Sequence, residues 1–120
     1  MTRERGTAVV EFALVLPVLL LAVMAAVEVA VVARTQLEVV NAAREGAREA
    51  ATTPDPARAV AAARASLGPR GGDARVSVQR PDQVGGMAVV VVRLPHRIAT
   101  AMFGGYVVEL TARVAMRVER

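Results

Sequence analysis

The stretch Gly6-Thr7-Ala8-Val9-Val10-Glu11-Phe12 opens a long apolar run, and the rest of the chain is arranged around it. A short leader carrying Arg3, Glu4 and Arg5 ends at Gly6. One carboxylate, Glu11, follows, and from Phe12 to Val27 there is no charge at all. A carboxylate placed at the start of a membrane helix costs on the order of a few kcal/mol unless something compensates it. The candidate is the α-amino group that would be created by cutting the chain after Gly6.

Residues 7–33 amount to about 40 Å of helix at ~1.5 Å per residue, and a bilayer core needs about 20 residues. The interruptions are Glu11, Pro17 and Glu28. A soluble protein large enough to bury this helix would need more chain than the remainder of these 120 residues supplies. The run therefore reads as a transmembrane helix. A secretory signal peptide, with Ala22 or Ala25 and Ala26 imitating a cleavage site, is the main rival. Against it, the apolar run continues past those positions into a second helical segment. Arg3 and Arg5 place the N-terminus in the cytoplasm and the head outside. Pro17 predicts a kink or a loosened turn near residues 13–17.

Residues 34–51 continue the helix with a polar surface. Leu37, Val40 and Arg44 fall on one side, and Ala43, Ala47, Ala50 and Ala51 form a small-residue side. Gly46 costs about 1 kcal/mol against Ala inside a helix. With Ala43, Ala47 and Ala50 it gives a spacing of four that lets another backbone come close, and this side is expected to be an interaction face. Pro54 ends the helix. Asp55 caps a second one with Pro56 in its first turn, and Gly68 stops it. Its thin apolar stripe is Ala59, Val60, Ala63 and Leu67.

After a loop at residues 68–73 the period becomes two. Val76 and Val78 mark a first strand, residues 81–86 a turn, and residues 87–94 a second strand. Residues 95–105 read as a connection with one helical turn around residues 98–103. In the last strand Val108, Leu110, Ala112, Val114, Met116 and Val118 point one way. Glu109, Thr111, Arg113, Arg117 and Glu119 point the other, with Ala115 the exception. The fold class is α+β: a long N-terminal helix, then a small head with one short helix and a three-stranded antiparallel sheet. The predicted division is a leader at 1–6, a transmembrane helix at 7–33, its extramembrane continuation at 34–51 and the head at 52–120.

The net charge is +4, and every basic residue apart from His96 is arginine. These arginines are scattered among acidic residues, and aromatics make up only 2%, so no platform for stacking bases is present and no nucleic acid is expected as a partner. Cysteine is absent, which excludes disulfide stapling and thiolate metal sites. His96 is the single histidine, Ser66 and Ser77 lack any motif, and Gly71, Gly72, Gly85 and Gly86 read as turn glycines. No catalytic, cofactor-binding or metal site is expected.

The N-terminal pattern of Gly6, Thr7 and a glutamate five residues beyond the glycine resembles class III signal peptides of the type IV pilin superfamily. The longer string is more specific. Residues 5–14, the pair Leu16 and Pro17, and Asn41-Ala42-Ala43-Arg44-Glu45-Gly46-Ala47-Arg48 resemble the TadE-like family of minor pilins or pseudopilins of the tight-adherence (Tad, or Flp pilus) system. Major Flp pilins carry Glu-Tyr where this chain has Glu11 and Phe12, which fits a minor component better.

The resemblance implies cleavage between Gly6 and Thr7 by a prepilin peptidase. It also implies a subunit-assembly role for Glu11 and Phe12, and a helix packing motif at Asn41, Ala43, Arg44, Glu45, Gly46, Ala47 and Arg48. The implied partners are the lipid bilayer, the peptidase, other Tad/Flp pilus subunits and assembly-platform proteins; no cofactor is implied. Two other readings stay open at this point: a pseudopilin of a DNA-uptake or type II secretion machine, and an uncleaved single-pass envelope protein.

Overall fold

The computed structural model of the protein describes residues 2–98 and 104–120. Alanine, leucine and a near absence of glycine favour a helix over the first third of the chain, and outweigh its β-branched valines. A single helix, α1, runs from Thr2 to Thr52. It continues without a break through Pro17, whose missing N–H removes one backbone bond but does not end the helix. Residues 2–6, read from the sequence as a leader, are helical too because they continue the same hydrogen-bonded ladder.

The chain forms two compact units, Met1–Val31 and Val32–Arg120. In the first, the apolar side chains are exposed all round the helix. Val9, Phe12, Leu14, Val18 and Val29 are each more than half exposed. No window of a soluble helix can leave such a surface bare at low cost, since burial contributes about 25 cal/mol per Å² of apolar area.

In the second unit the remainder of α1 becomes the base of a small α+β head. Helix α2, Pro56–Leu67, begins as its sequence dictates: the Asp55 carboxylate accepts a hydrogen bond from the Ala57 N–H at 3.0 Å, and Pro56 fills the first turn. Gly68, at φ +62, ends it. The expected loop at residues 68–73 is instead a 3-10 helix, η1 (Gly68–Asp73). Its six residues tighten the turn from α2 into the sheet.

The sheet is antiparallel, in the order β1-β2-β3, with β1 at Arg75–Gln79, β2 at Met87–Ile98 and β3 at Tyr106–Arg117. Strand β2 is longer than its valine-rich core foretold: it runs on through Pro95 to Ile98. The reason lies in the pairing. Strand β1 covers only Val89 to Arg93 of β2, so beyond Arg93 that side of the strand is open and a residue without an N–H loses no ladder bond. On the other side, β3 pairs with β2 along its whole length, from Met87 with Arg117 to Ile98 with Tyr106. The helical turn expected around residues 98–103 is therefore not formed at Ile98, which closes β2; residues 99–103 lie outside the described residues.

The inner face of β3 follows its period of two, with Leu110 and Ala112 buried, Val114 and Met116 half-buried, and Val118 buried just past the strand. Against it pack Ala88, Val90, Val92 and Leu94 of β2, Ala59, Ala63 and Leu67 of α2, and Val39, Ala42, Ala43, Ala47 and Ala50 of α1. Among the described residues, Leu94, Val39, Val90, Val92 and Val118 are the largest fully buried apolar side chains, so the core they form is thin and none of them is aromatic. Such a core depends on close backbone approach, which the alanines permit.

Polar ties hold the layers in place. The turn after β1 is fastened to the chain end: the Gly85 N–H donates to the Val118 carbonyl at 2.9 Å, and the Val118 N–H donates to the Gly86 carbonyl at 2.8 Å. The last turn of α1 contains no basic residue. Arg80 supplies the missing cation, donating from Nε to the Ala50 carbonyl at 2.7 Å and also to the main-chain oxygen of Arg120.

Candidate functional site

The N-terminal site is built on one side of the first turns of α1. Gly6 lies within the helix, and a Cβ there would meet nothing within 4 Å. Packing does not require this glycine, although it weakens the helix by about 1 kcal/mol relative to alanine. The Thr7 hydroxyl donates to the Arg3 carbonyl at 2.8 Å, one turn back, which satisfies it locally. Arg3, Glu4, Thr7, Ala8 and Glu11 line a shallow, open concavity along this side, with no wall deep enough to exclude water. Glu11 is exposed, and Phe12, beside it, is 64% exposed. The peptide bond between Gly6 and Thr7, the Glu11 carboxylate and the Phe12 ring are thus all accessible on a helix that the first unit leaves uncovered.

A second group lies in residues 41–48, and the helix period divides it in two. Ala43, Gly46 and Ala47 turn inward and are buried, whereas Asn41, Arg44, Glu45 and Arg48 are exposed. A Cβ on Gly46 would lie 3.1 Å from the Ala63 Cβ, 3.1 Å from a Val90 methyl and 3.3 Å from the Ala59 carbonyl oxygen. The backbone that comes close to the small-residue side is therefore the chain's own α2, with β2 beneath it. The outward residues Asn41, Arg44 and Glu45 border a shallow groove against Ala62, Ala65 and Ser66 of α2. Glu49, next on the helix, pairs with Arg58 of α2 at 3.4 Å. That pair is largely solvated and is worth well under about 1 kcal/mol.

Three positioning contacts carry no sequence motif. Arg70 of η1 donates to the Thr35 hydroxyl at 3.3 Å and pairs with Glu38 at 3.4 Å, fixing the end of α2 against α1. Gln36 donates from its side-chain amide to the Thr111 carbonyl at 3.1 Å, tying α1 to β3. The third is Arg80. Only the last had a signal in the sequence, the lack of a basic residue in the final turn of α1. His96 is half-buried on the inner face of β2, not in a loop. Among the described residues no group of three or more His, Asp or Glu side chains converges as a metal site would require.

Helix α1 is long and apolar enough to cross a membrane, with a most apolar window of mean hydropathy 2.7, none of which the chain buries. Comparison with curated proteins and with solved structures gave no match. A family model described as TadE-like protein matches residues 6–48. The match begins at the exposed glycine and ends where the small-residue side of α1 enters the head. This chain therefore carries a TadE-like segment at residues 6–48.

Proposed function

We propose that this protein is a minor pilin or pseudopilin of a Tad/Flp pilus, anchored by residues 7–33 with its N-terminus in the cytoplasm and its head outside. The observation that carries this reading is the coincidence of the TadE-like match over residues 6–48 with an apolar helix that the chain itself leaves uncovered. A helix of this kind needs lipid before assembly and other helices after it. The role is structural, and the head is its extracytoplasmic end.

A prepilin peptidase cuts between Gly6 and Thr7. A peptidase needs the scissile bond drawn out of the helix, and glycine lowers the cost of unwinding there. That accounts for a glycine that no packing contact demands. Cleavage removes Arg3 and Arg5 and leaves a new α-amino group at Thr7. With a pKa of about 8 in water, that amine is largely cationic at neutral pH. In an assembly the Glu11 carboxylate of one subunit meets the Thr7 amine of a neighbour. Each charge then compensates the other away from water, and the pairing sets the axial step between subunits. Phe12 packs beside that pair, against the neighbouring helix.

The test is Glu11→Gln, which keeps the shape and removes the charge. The variant should be processed and inserted like wild type, yet be strongly depleted from sheared pili relative to the membrane fraction. Normal incorporation of Glu11→Gln would sink the pairing.

A further inference from the structure

Helices α1 and α2 pack on one face of the sheet and leave the other open to solvent. Even-numbered residues of the strands turn inward onto the helices, and odd-numbered ones turn outward. Five arginines stand on that outer face: Arg75 of β1, Arg93 and Arg97 of β2, and Arg113 and Arg117 of β3. All five are exposed. Glu109 is the one acidic residue within the three strands. The face thus holds five of the chain's fifteen arginines but one of its eleven acidic residues, and those elsewhere are equal in number. The whole formal net charge of +4 belongs to this one face.

Folding gives no reason for this concentration. Arg75 lies directly opposite Arg93, and Arg113 is diagonal to Arg93, whose partner on β3 is Thr111. Like charges set opposite one another destabilise a sheet. Arg93 pairs with Glu109 at 3.9 Å, but both are more than half exposed and the pair is worth little. Among the described residues no carboxylate comes within 4 Å of Arg75, Arg97, Arg113 or Arg117. Charges placed this way are accounted for by a partner that neutralises them. Between them the middle strand carries an apolar row: Met87, 52% exposed, then Val89 and Val91, half-buried. No residue of the outer face is aromatic, so bases have nothing to stack on. A polyphosphate or an acidic glycan would cover the apolar row with no apolar group in return. A protein surface can offer carboxylates and apolar side chains together, and an apolar centre edged with arginine is how protein interfaces are built. A second copy of this chain does not fit, because its own sheet face repels this one and its remaining charges balance.

We infer that the outer face of the β1-β2-β3 sheet docks a different protein, one whose surface carries carboxylates around a small apolar patch. Arg75, Arg93 and Arg113 take the carboxylates, each guanidinium offering a planar fork that suits them. Met87, Val89 and Val91 take the apolar patch. At ~3.3 Å per residue the face runs about 33 Å from Arg97 to the level of Arg117, and about 10 Å across its three strands. That is small for a standing interface, so the contact is weak, steered by charge and sensitive to salt. The inference stands on the head alone and does not depend on the membrane or pilus reading.

The test titrates the full chain, in uncharged detergent micelles, with three fluorescein-labelled probes: a peptide alternating glutamate and valine, one alternating glutamate and serine, and a short DNA duplex. Arg75→Gln combined with Arg113→Gln is compared with Arg64→Gln combined with Arg120→Gln, at exposed arginines off the face, so both doubles lose the same charge. Binding is read well below the melting temperature of every variant. Wild type should bind the glutamate–valine peptide several-fold more tightly than the other two probes, and less tightly as salt rises. The on-face double should lose that binding several-fold, while the off-face double keeps it. The on-face double should also melt no lower than wild type, since the opposition of Arg75 to Arg93 is gone. An equal loss in both doubles reduces the effect to net charge and overturns the inference. Equal binding of the two peptides, or no binding of either, overturns it as well. A preference for the duplex makes the face a nucleic-acid surface and refutes a protein partner. A lower melting temperature for the on-face double with the peptide still bound would mean that the arginine stems serve the sheet by covering its valines, and would also refute it.

Discussion

Replacing Gly46 by valine tests how the head is built, because this position is where helix chemistry and packing pull in opposite directions. On helix propensity alone the change is favourable by a few tenths of a kcal/mol, since glycine is about 1 kcal/mol worse than alanine and valine recovers only part of that. Packing opposes it. The new Cβ would sit 3.1 Å from atoms of both Ala63 and Val90 and 3.3 Å from the Ala59 carbonyl, so it is closed in by two different elements. One of those atoms belongs to the α2 backbone, and the two γ-methyls of valine would have to go further into the same space. Overpacking of this kind costs about 1–3 kcal/mol. The net loss should be about 2 kcal/mol, which for a unit of this size lowers the melting temperature by about 10 °C. Gly46→Ala is the control: its propensity gain largely offsets its smaller crowding, and it should melt within a few degrees of wild type. The assay is thermal unfolding of the full chain in detergent micelles, followed by circular dichroism in the β-sheet region. A wild-type melting temperature for Gly46→Val would mean that α1 does not pack against α2 and β2 at this point.

Three further substitutions bear on the same architecture. Asp55→Ala removes the side-chain acceptor of the Ala57 N–H and should cost about 1 kcal/mol, seen as a lower melting temperature and faster amide exchange in the first turn of α2. Arg80→Ala takes away the donor that joins the end of α1 to the chain terminus. A loss of about 1 kcal/mol is expected, with faster exchange of the Glu119 amide; an unchanged amide would place that tie elsewhere. Gly71→Ala would push its Cβ into the Arg64 carbonyl, so η1 must shift, and chemical shifts of Arg70, Thr35 and Glu38 should move together.

Much of this was legible in the sequence, for identifiable physical reasons. The uncharged run from Phe12 to Val27 allows one element only, and β3 repeats its period of two for long enough to fix which face is inward. Asp55 and Pro56 spell out a helix start in side-chain chemistry, and Gly68 its stop. What escaped depended on partners distant in the chain. Pro95 reads as the end of a strand unless it is known that β1 stops opposite Arg93 and leaves that edge open. The 3-10 turn at Gly68–Asp73 offers no period to detect. The small-residue side at Ala43, Gly46 and Ala47 announces a close neighbour without saying whose, and the neighbour proves to be α2. Gly6 shows the converse: an added Cβ there would meet nothing within 4 Å, so packing within the chain does not call for a glycine.

The central claim is that this helix enters the pilin pathway, and the N-terminus of the mature protein tests it most directly. The protein is extracted from membranes of cells with and without the prepilin peptidase, and its terminal peptide is read by mass spectrometry. The account predicts a chain beginning at Thr7 only where the peptidase is present. A chain beginning at Met1 or Thr2 in both would contradict it and leave a plain membrane anchor, and a start beyond Ala22 would make the apolar run an ordinary signal peptide.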